Sequence, residues 1–408
     1  MNCRFCNNQL THEFIDLVNS PPSNSFLTQQ QLSEPEVFYP LKLYVCDDCF
    51  LVQTDEYKKH ADIFDNDYAY FSSFSTSWLK HAEDYVEMII PRQSLSKSSL
   101  VVEIASNDGY LLQYFKQRNI PCLGIEPTAN TAKVAIEKGI ETRVDFFNES
   151  TARNLAIDKK KADLIICNNV LAHDPNLNGF VESLKILLKD NGIITIEFPH
   201  IMQLILNSQF DTIYHEHFSY FSLFTAIKIF EKHDLKIVDV EELSTHGGSL
   251  RVYAAHKSSS IKENLNNILT VLEKERKIKL NELSGYLGFR NKVSNVKNEL
   301  LKFLIEQKQK GKSVAAYGAA AKGNTMLNYC GIKNDLIGFV ADASPHKQGK
   351  FLPASHIPIV SEEEIKLRKP DFIFILPWNI KEEICNQLNY IRDWNGQFVV
   401  AIPELKVS

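Results

Sequence analysis

The sequence predicts an α/β protein in which a small cysteine-bearing module precedes two doubly wound domains. Four of the eight cysteines fall within residues 1–65, and strand–helix alternations begin near residue 100 and again near residue 313. Strands that alternate with helices form mostly parallel sheets with helices on both faces. We therefore divide the chain into a module of residues 1–65, a central domain of residues 66–258 and a C-terminal domain of residues 259–408.

Short apolar runs mark the predicted strands. In the central domain they lie at residues 100–105, 122–125, 162–167 and 192–198. In the C-terminal domain they lie at residues 313–317, 336–341, 371–376 and 398–402. Between the two sets, residues 260–310 read as one long helical stretch rich in Lys, Glu and Leu. We expect this helix to link the two domains.

Charge and hydropathy limit the kinds of partner. The 408 residues include 45 basic and 50 acidic side chains, for a net charge of −5, with no long basic run. This balance argues against nucleic acid binding. No stretch approaches the ~18 to 20 uncharged apolar residues of a membrane span, and the first residues form no apolar leader. We expect a cytoplasmic protein without nucleic acid or membrane partners, as a monomer or small homo-oligomer.

The N-terminal cysteines form two CxxC pairs, Cys3 with Cys6 and Cys46 with Cys49. Two such pairs present four thiolates at the spacing that a tetrahedral zinc ion requires. The alternative, free or redox-active thiols, needs only one CxxC. Four sulfur ligands leave no open coordination position, so the predicted zinc is structural.

The first two strands of the central domain end in acidic motifs. Residues 103–109 read EIASNDG, and the second strand ends at Glu126. In an open α/β sheet, ligands bind beyond the carboxyl ends of the strands. A carboxylate at the end of the second strand can accept hydrogen bonds from ribose hydroxyls, whether the ligand is NAD or S-adenosylmethionine.

The first loop distinguishes these two ligands. A dinucleotide site uses a GxGxxG turn to receive the pyrophosphate, whereas here only Gly109 is present. Asn107 and Asp108 stand where a phosphate would be repelled, and an acid there favours the cationic methionine portion of S-adenosylmethionine. The alternative is that Asp108 caps a helix and Glu126 is a surface carboxylate.

Further contacts to S-adenosylmethionine, the methyl donor, are predicted along the same edge of the sheet. Two aromatic residues at positions 146 and 147 could stack on adenine, although a core role is equally compatible with them, and two asparagines follow the strand of residues 162–167. With the loop residues, these are Glu103, Ala105, Phe146, Phe147, Asn168 and Asn169.

The segment that follows the strand of residues 192–198 includes residues 211–220, which read DTIYHEHFSY and are dense in titratable groups. Its spacing differs from the helical HExxH pattern of zinc enzymes. A general base fits better, because a histidine can accept a proton near neutral pH. We expect His173 and either Tyr68 or Tyr70 to reach the same cleft, although any one of them alone is as compatible with packing.

Taken together, these motifs resemble the sugar-nucleotide C-methyltransferases of deoxysugar biosynthesis, which act at C-3 of dTDP-4-keto-6-deoxyhexoses. The resemblance covers the whole chain and includes the two CxxC pairs and residues 68–73, 103–109, 168–173, 214–220, 246–251, 317–325 and 342–349. It implies an N-terminal zinc-binding module, a central Rossmann-like class I methyltransferase domain, and a second Rossmann-like α/β domain that holds the sugar nucleotide.

The resemblance also implies a reaction. A ketone at C-4 acidifies the C-3 proton, so a base can form an enolate whose carbon attacks the methyl group of S-adenosylmethionine. His217 is the expected base and Glu216 its orienting partner. Tyr214 and His173 are expected to stabilise the oxyanion at O-4, with Tyr68 and Tyr70 nearby.

The expected substrate is a nucleotide sugar, most simply a dTDP sugar. Residues 318–323 follow a strand and open a helix, so their amides and Lys322 can hold a pyrophosphate. The full set of expected substrate contacts is Tyr317, Gly318, Ala321, Lys322, Asn324, Lys347, Asn379, His246 and Arg251. One departure is Ala105, which stands where the family usually has glycine and crowds the backbone facing the donor.

Two other readings remain open from the sequence. One is an O- or N-methyltransferase that uses His217 to deprotonate a hydroxyl or amine. The other is a non-catalytic protein that binds nucleotide sugars and releases no S-adenosylhomocysteine. A zinc-ribbon nucleic acid methyltransferase is disfavoured by the net acidity and by the second α/β domain.

Overall fold

A computed structural model of the chain describes residues 1–57 and 71–408. Within them the strands form three sheets of four, seven and six strands. The predicted α/β class is confirmed, with a cysteine module followed by two α/β domains. Tyr68 and Tyr70 lie outside the described residues, so their predicted place in the cleft stays a prediction.

The smallest sheet belongs to the cysteine module. Its strands are β1 (His12–Ser20), β2 (Tyr39–Val45) and β3 (Val52–Thr54). A fourth strand, β9 (Ser219–Tyr220), comes from the central domain and pairs antiparallel with β3. Because β9 lies at the end of the predicted reactive segment, the module and that segment share one sheet.

The central sheet has the order β10-β11-β8-β7-β4-β5-β6. Strands β4 to β8 run parallel, and β11 pairs antiparallel with both β8 and β10. The strands are β4 (Val101–Ile104), β5 (Cys122–Ile125), β6 (Thr142–Arg143), β7 (Ala162–Asn168), β8 (Leu188–Pro199), β10 (Leu235–Leu243) and β11 (Ser249–His256). Strands β5 and β6 follow on one side of β4, and β7 and β8 lie on its other side, so the topological switch point is between β4 and β7. Ligands of open α/β sheets bind at the carboxyl ends of the strands at such a point.

Seven helices accompany this sheet in the described part of the chain. They are α1 (Thr76–Arg92), α2 (Leu112–Gln117), α3 (Ala129–Glu137), α4 (Glu149–Ile157), α5 (Leu177–Leu187), α6 (Ile201–Leu206) and α7 (Leu223–Lys232). Their apolar faces bury against the sheet; Phe115 of α2 and Leu184 of α5, for example, are completely buried.

The C-terminal sheet has the order β14-β13-β12-β15-β16-β17, parallel except for β17. Its strands are β12 (Val314–Tyr317), β13 (Val340–Ala341), β14 (Ile359–Val360), β15 (Phe372–Ile375), β16 (Gln397–Val400) and β17 (Lys406–Val407). Its helices are α10 (Ala321–Cys330), α11 (Glu363–Arg368) and α12 (Lys381–Gln387). This sheet also has a switch point, between β12 and β15.

The predicted single linking helix is two helices, α8 (Leu265–Lys277) and α9 (Phe289–Gln309). The prediction of one continuous stretch was wrong because glycines interrupt it. Gly288 adopts a left-handed φ of 85° before α9, a conformation that favours glycine. None of the described helices is long and apolar enough to cross a membrane.

The loop between β1 and β2 lies against the C-terminal domain. Leu27 and Phe351 exchange backbone hydrogen bonds of 2.9 and 2.8 Å. Asn324 of α10 donates to the carbonyl of Ser23 over 2.6 Å. The module is thereby attached to the C-terminal domain by this loop and to the central domain by the β3–β9 pair.

Candidate active site

A cavity of about 360 Å³ lies at the carboxyl edge of the central sheet, where all three parts of the chain meet. Most of the predicted site residues line it. Those from the central domain are Ala105, Asn107, Glu126, Phe146, Phe147, Asn168, Asn169, His173, Tyr214, Glu216, His217 and His246. Those from the C-terminal domain are Ala321, Lys322 and Lys347. The structure therefore brings the predicted donor, reactive and phosphate motifs to one place.

Other predicted site residues are not among the lining residues of this cavity. They are Glu103, Asp108, Gly109, Tyr317, Gly318, Asn324, Asn379 and Arg251. Several of them lie directly behind the lining residues and fix the backbone there. Gly109 and Gly318 have left-handed φ values of 74° and 89°, and an added Cβ would lie 2.4 Å from Ile140 and 2.6 Å from Pro377, so both turns favour glycine. Tyr317 accepts a hydrogen bond from Gln387.

Arg251 serves the packing behind the site. It stands opposite Glu197 across the β8–β11 pair and bonds that carboxylate over 3.1 Å. Burial alone would raise the pKa of Glu197, but the hydrogen bond and charge of His81, with the charge of Arg251, lower it to about 2. Thr245 also donates to Glu197 over 2.6 Å. This buried network supports the turn that carries His246.

Residues 103–109, the loop expected to face the methyl donor and called the donor loop below, are held by Glu126 at the end of the second strand. The backbone N–H of Asn107 donates to Glu126 Oε2 over 2.8 Å, and Thr128 donates its backbone N–H to Oε1 over 2.9 Å. Burial raises the pKa of Glu126. Ala105 and Asn107 both have left-handed φ values, 55° and 49°. Such conformations outside glycine cluster at ligand sites.

The two other acids of the loop lie deeper. Burial raises the pKa of Glu103 well above its usual value, and its Oε2 has no hydrogen-bond partner among the described residues. Asp108 bonds Ser73 and pairs with Lys138 at 3.5 Å. It is not the side-chain cap of α2 either, since that helix has no side-chain cap bond.

Aromatic residues that the sequence reasoning missed form another wall. Trp78 of α1 lines the cavity with Tyr110, and its ring centroid lies 5.1 Å from that of His246 and 5.9 Å from that of Tyr110. His246 accepts a hydrogen bond from Asn169 over 3.0 Å. Burial lowers the pKa of His246 to about 4, so its ring is neutral at neutral pH.

His217 has both ring nitrogens in defined hydrogen bonds. Nδ1 lies 2.9 Å from the carbonyl of Thr212, which can only accept, so Nδ1 carries the proton. Nε2 therefore offers its lone pair to the hydroxyl of Tyr214, 2.8 Å away. Burial lowers the pKa of His217 well below its usual value, and the nearby His173 lowers it further. The ring is a neutral base in a fixed tautomer.

Glu216 has a partner that the sequence did not predict. Its Oε1 accepts a hydrogen bond of 2.7 Å from Asn24 of the cysteine module, and both residues line the cavity. The two ring nitrogens of His217 bond Tyr214 and Thr212. The prediction that Glu216 orients His217 was therefore wrong. The carboxylate is instead presented to the cavity.

The reactive segment also contacts the C-terminal domain. Trp378 donates its indole N–H to Asp211 Oδ2 over 2.7 Å. Burial raises the pKa of Asp211 to about 6, against the charge of nearby Lys322. Asn379, an expected nucleotide contact, accepts from Lys322 over 2.7 Å. Asn379 thus holds a cavity lysine in place.

Two lysines face the cavity from the C-terminal domain. Lys322 lies in the first turn of α10, beside the peptides of Ala320 and Ala321. Lys347 bonds the carbonyl of Ala319 over 3.0 Å and pairs with Asp342 at 3.6 Å. Backbone amides at a helix start and two ammonium groups are together chemically suited to bind an anion.

The four cysteine sulfurs lie within 4.8 Å of one another. Cys3 and Cys49 are separated by 3.5 Å between sulfurs, as are Cys6 and Cys46. Tetrahedral zinc with Zn–S bonds of about 2.3 Å places its sulfurs about 3.8 Å apart. Gln53 donates to the Cys3 sulfur over 3.2 Å. The donor set fits a structural zinc ion.

Comparison with known proteins accounts for this arrangement. A curated relative, the C-methyltransferase NovU of Streptomyces niveus, is 33% identical over 405 residues, covering 99% of this chain and 96% of NovU. The chain belongs to the C-methyltransferase family. Family models match a zinc binding domain at residues 3–64, a methyltransferase domain at 78–240 and a C-methyltransferase C-terminal domain at 244–403. The chain is thus an S-adenosylmethionine-dependent C-methyltransferase with a zinc-binding module.

Two solved structures of methyltransferase-sized proteins resemble part of the C-methyltransferase. The PH0226 protein from Pyrococcus horikoshii OT3 is 14% identical, covers 46% of this chain and 95% of its own, and gives a TM-score of 0.38. Magnesium protoporphyrin IX methyltransferase from Synechocystis PCC 6803, with bound S-adenosylmethionine, is 15% identical, covers 44% of this chain and 79% of its own, and gives a TM-score of 0.34.

Proposed function

We propose that this C-methyltransferase methylates C-3 of a nucleotide-linked 4-keto-6-deoxy sugar through an enolate formed by His217. The observation that carries the proposal is the fixed tautomer of His217, whose Nε2 lone pair faces the Tyr214 hydroxyl at the cavity. A neutral, desolvated histidine is suited to removing a carbon-bound proton that a neighbouring ketone acidifies.

On the donor side, the chain supplies acceptors and a shaped loop. Glu126 presents a carboxylate for ribose hydroxyls, while Asn107 and Ala105 form the floor of the cavity and Trp78 one of its walls. Phe147 lines the cavity and also packs edge to face on Phe180, with ring centroids 5.5 Å apart. When bound, S-adenosylmethionine supplies an electrophilic methyl group and leaves as S-adenosylhomocysteine.

On the acceptor side, His217 Nε2 takes the C-3 proton and the electron pair moves toward O-4. Tyr214 holds Nε2 before the substrate arrives; in the proposed complex its hydroxyl donates instead to O-4, which frees the lone pair. His173, whose ring centroid lies 4.7 Å from that of His217, completes the oxyanion wall. The enolate carbon then forms the new bond to the methyl group as the sulfur–methyl bond breaks.

The nucleotide is assigned to the C-terminal domain. Lys322, Lys347 and the first turn of α10 offer positive charge to a pyrophosphate at the cavity. The two lysines lie on the C-terminal domain and the donor loop lies on the central domain. The sugar would therefore bind between these two domains. We propose dTDP as the carrier on the resemblance alone.

The test is mass spectrometry of the protein with S-adenosylmethionine and dTDP-4-keto-6-deoxyglucose, its 3-amino and 2-deoxy relatives, and the matching 4-hydroxy sugars. The proposal predicts one added methyl on a keto sugar, assigned to C-3 by NMR, and none on its 4-hydroxy counterpart. Methylation of a 4-hydroxy sugar on oxygen or nitrogen would replace the enolate mechanism with the O- or N-methyl alternative.

A further inference from the structure

Within residues 1–57, the described part of the zinc-binding module, Asn24 lines the cavity. Its amide Nδ2 donates to Glu216 Oε1 over 2.7 Å. Only the NH2 end of an asparagine can donate to a carboxylate, so the chemistry fixes the orientation of this amide. Asn24 and Glu216 are 192 positions apart in the chain.

The backbone around Asn24 is held on both sides by the C-terminal domain. Asn324, which is completely buried, donates to the carbonyl of the preceding residue, Ser23, over 2.6 Å. Leu27, three residues later, pairs with Phe351. Asn328 donates to Ser20 over 3.3 Å. The loop therefore reaches the cavity in a fixed position.

From these contacts we propose that Asn24 is a positioning residue, which orients the Glu216 carboxylate toward the bound sugar. A hydrogen bond to a charged acceptor is stronger than one between neutral groups, so it can select one carboxylate orientation. The neighbouring His217 has its own partners and does not serve this purpose. The inference rests on the proposed function, since it requires that Glu216 acts on the sugar during turnover.

The inference gives the zinc-binding module a part in turnover beyond stability. The module meets the reactive segment through Asn24 at Glu216, through a 3.2 Å contact between the Pro40 carbonyl and His215, and through the β3–β9 pair that begins at Ser219. A change at Asn24 should therefore alter turnover while leaving zinc content, folding and donor binding in place.

The experiment is a double-mutant cycle of Asn24→Ala and Glu216→Gln in the full chain, with kcat measured by release of S-adenosylhomocysteine. Asn24→Ala should lower kcat about 10- to 100-fold, as expected for loss of a hydrogen bond to a charged group. In the Glu216→Gln background the same change should cost less than about threefold, because the partner is already altered. Lys42→Ala, which breaks ion pairs with Glu13 and Asp16 in the same module but away from the loop and the cavity, should retain wild-type kcat.

Losses that multiply across the cycle would overturn the inference, as would an equal loss in Lys42→Ala. If the wild-type protein methylates no keto sugar, the proposed function fails, and crystal structures then test Asn24 separately. In Asn24→Ala the Glu216 carboxylate should change its rotamer while the loop stays in place; an unchanged Glu216 would refute the positioning role.

Discussion

Tyr214 donates its hydroxyl to Nε2 of His217 over 2.8 Å, while the Thr212 carbonyl accepts from Nδ1 over 2.9 Å. The two contacts fix one tautomer and leave a single basic nitrogen, which accepts from a hydroxyl that can donate to a ketone oxygen instead. The proposed base and the proposed oxyanion donor are thus in direct contact with each other.

Tyr214→Phe tests the second half of this pair. The change removes the donor expected at O-4 but keeps the ring, so kcat for the keto sugar should fall about 100-fold or more, the usual loss for one oxyanion donor. Steady-state kinetics measure the effect. Tyr390→Phe, which removes a hydroxyl that bonds Glu362 in the C-terminal domain, is the control and should keep wild-type kcat. Equal rates for Tyr214→Phe and wild type would remove Tyr214 from the mechanism.

The pH dependence follows from the burial of His217. Its pKa lies well below the usual value of about 6.5, so the neutral base persists as the pH falls through 6.5. The rate is lost only when the pH falls through the lowered pKa. We expect kcat/KM for the keto sugar to be level from about pH 8 to about pH 6.5 and to decline below it.

Asp211 is the control for this profile, because burial raises its pKa to about 6. An acid limb near pH 6 that disappears in Asp211→Asn belongs to Asp211, whereas the limb of His217 should lie at lower pH and remain in that variant. A limb centred above about pH 6.5 in both proteins would contradict the buried neutral base.

Trp378→Phe tests the contact between the reactive segment and the C-terminal domain. Loss of the indole N–H leaves the Asp211 carboxylate without its donor, and an unsatisfied buried group costs about 1–3 kcal/mol. Calorimetry should show a lower Tm, and the KM for the nucleotide sugar should rise. Trp394→Phe removes an indole bond to the Pro370 carbonyl elsewhere in the same domain and should leave that KM unchanged. Matching KM increases in both variants would argue against a specific interdomain contact.

Cys46→Ser tests the zinc site. Removing one of four thiolates should release the ion and destabilise the module, since structural zinc contributes directly to folding. Metal analysis and limited proteolysis measure the two effects. Cys385→Ser, half-buried and outside the cluster, should retain zinc. Full zinc content in Cys46→Ser would contradict the assignment of four cysteine ligands.

Ala105→Gly tests the strained donor loop. A left-handed alanine costs about 1–2 kcal/mol, and glycine adds about 0.5–1 kcal/mol of unfolded-state entropy. The variant should therefore be as stable as wild type or up to about 1.5 kcal/mol more stable. It should also bind S-adenosylmethionine more tightly. Chemical denaturation and calorimetry measure these changes. Ala132→Gly, within helix α3, should instead be destabilised; a similar destabilisation of Ala105→Gly would contradict the strain.

Local pattern was enough to predict much of the site. Ends of parallel strands share one edge of a sheet, so the motifs at Glu126, Asn168 and His173 were expected to meet, and the cavity contains all three. The CxxC spacing likewise predicted four sulfurs in one cluster. These features depend on neighbours in sequence and on the general geometry of a parallel sheet.

Other features depend on contacts between distant elements. Asn24 and Trp78 reach the cavity only because the module and α1 pack against it, and no periodicity in the sequence signals this. Arg251 belongs to a recognisable motif, yet its cross-strand position opposite Glu197 turns it into the core. Motif membership alone does not distinguish a residue that lines a site from one that supports it.

The most direct test of the enolate mechanism is hydrogen exchange in deuterated water. The protein is incubated with dTDP-4-keto-6-deoxyglucose and S-adenosylhomocysteine, so that no methyl group is transferred, and the C-3 signal is followed by NMR. We predict rapid loss of the C-3 proton signal with the wild-type protein, and exchange slowed about 100- to 10,000-fold with His217→Asn, the range for loss of a general base. Exchange at the same rate with both proteins, or at the rate without protein, would contradict the assignment of His217 as the base.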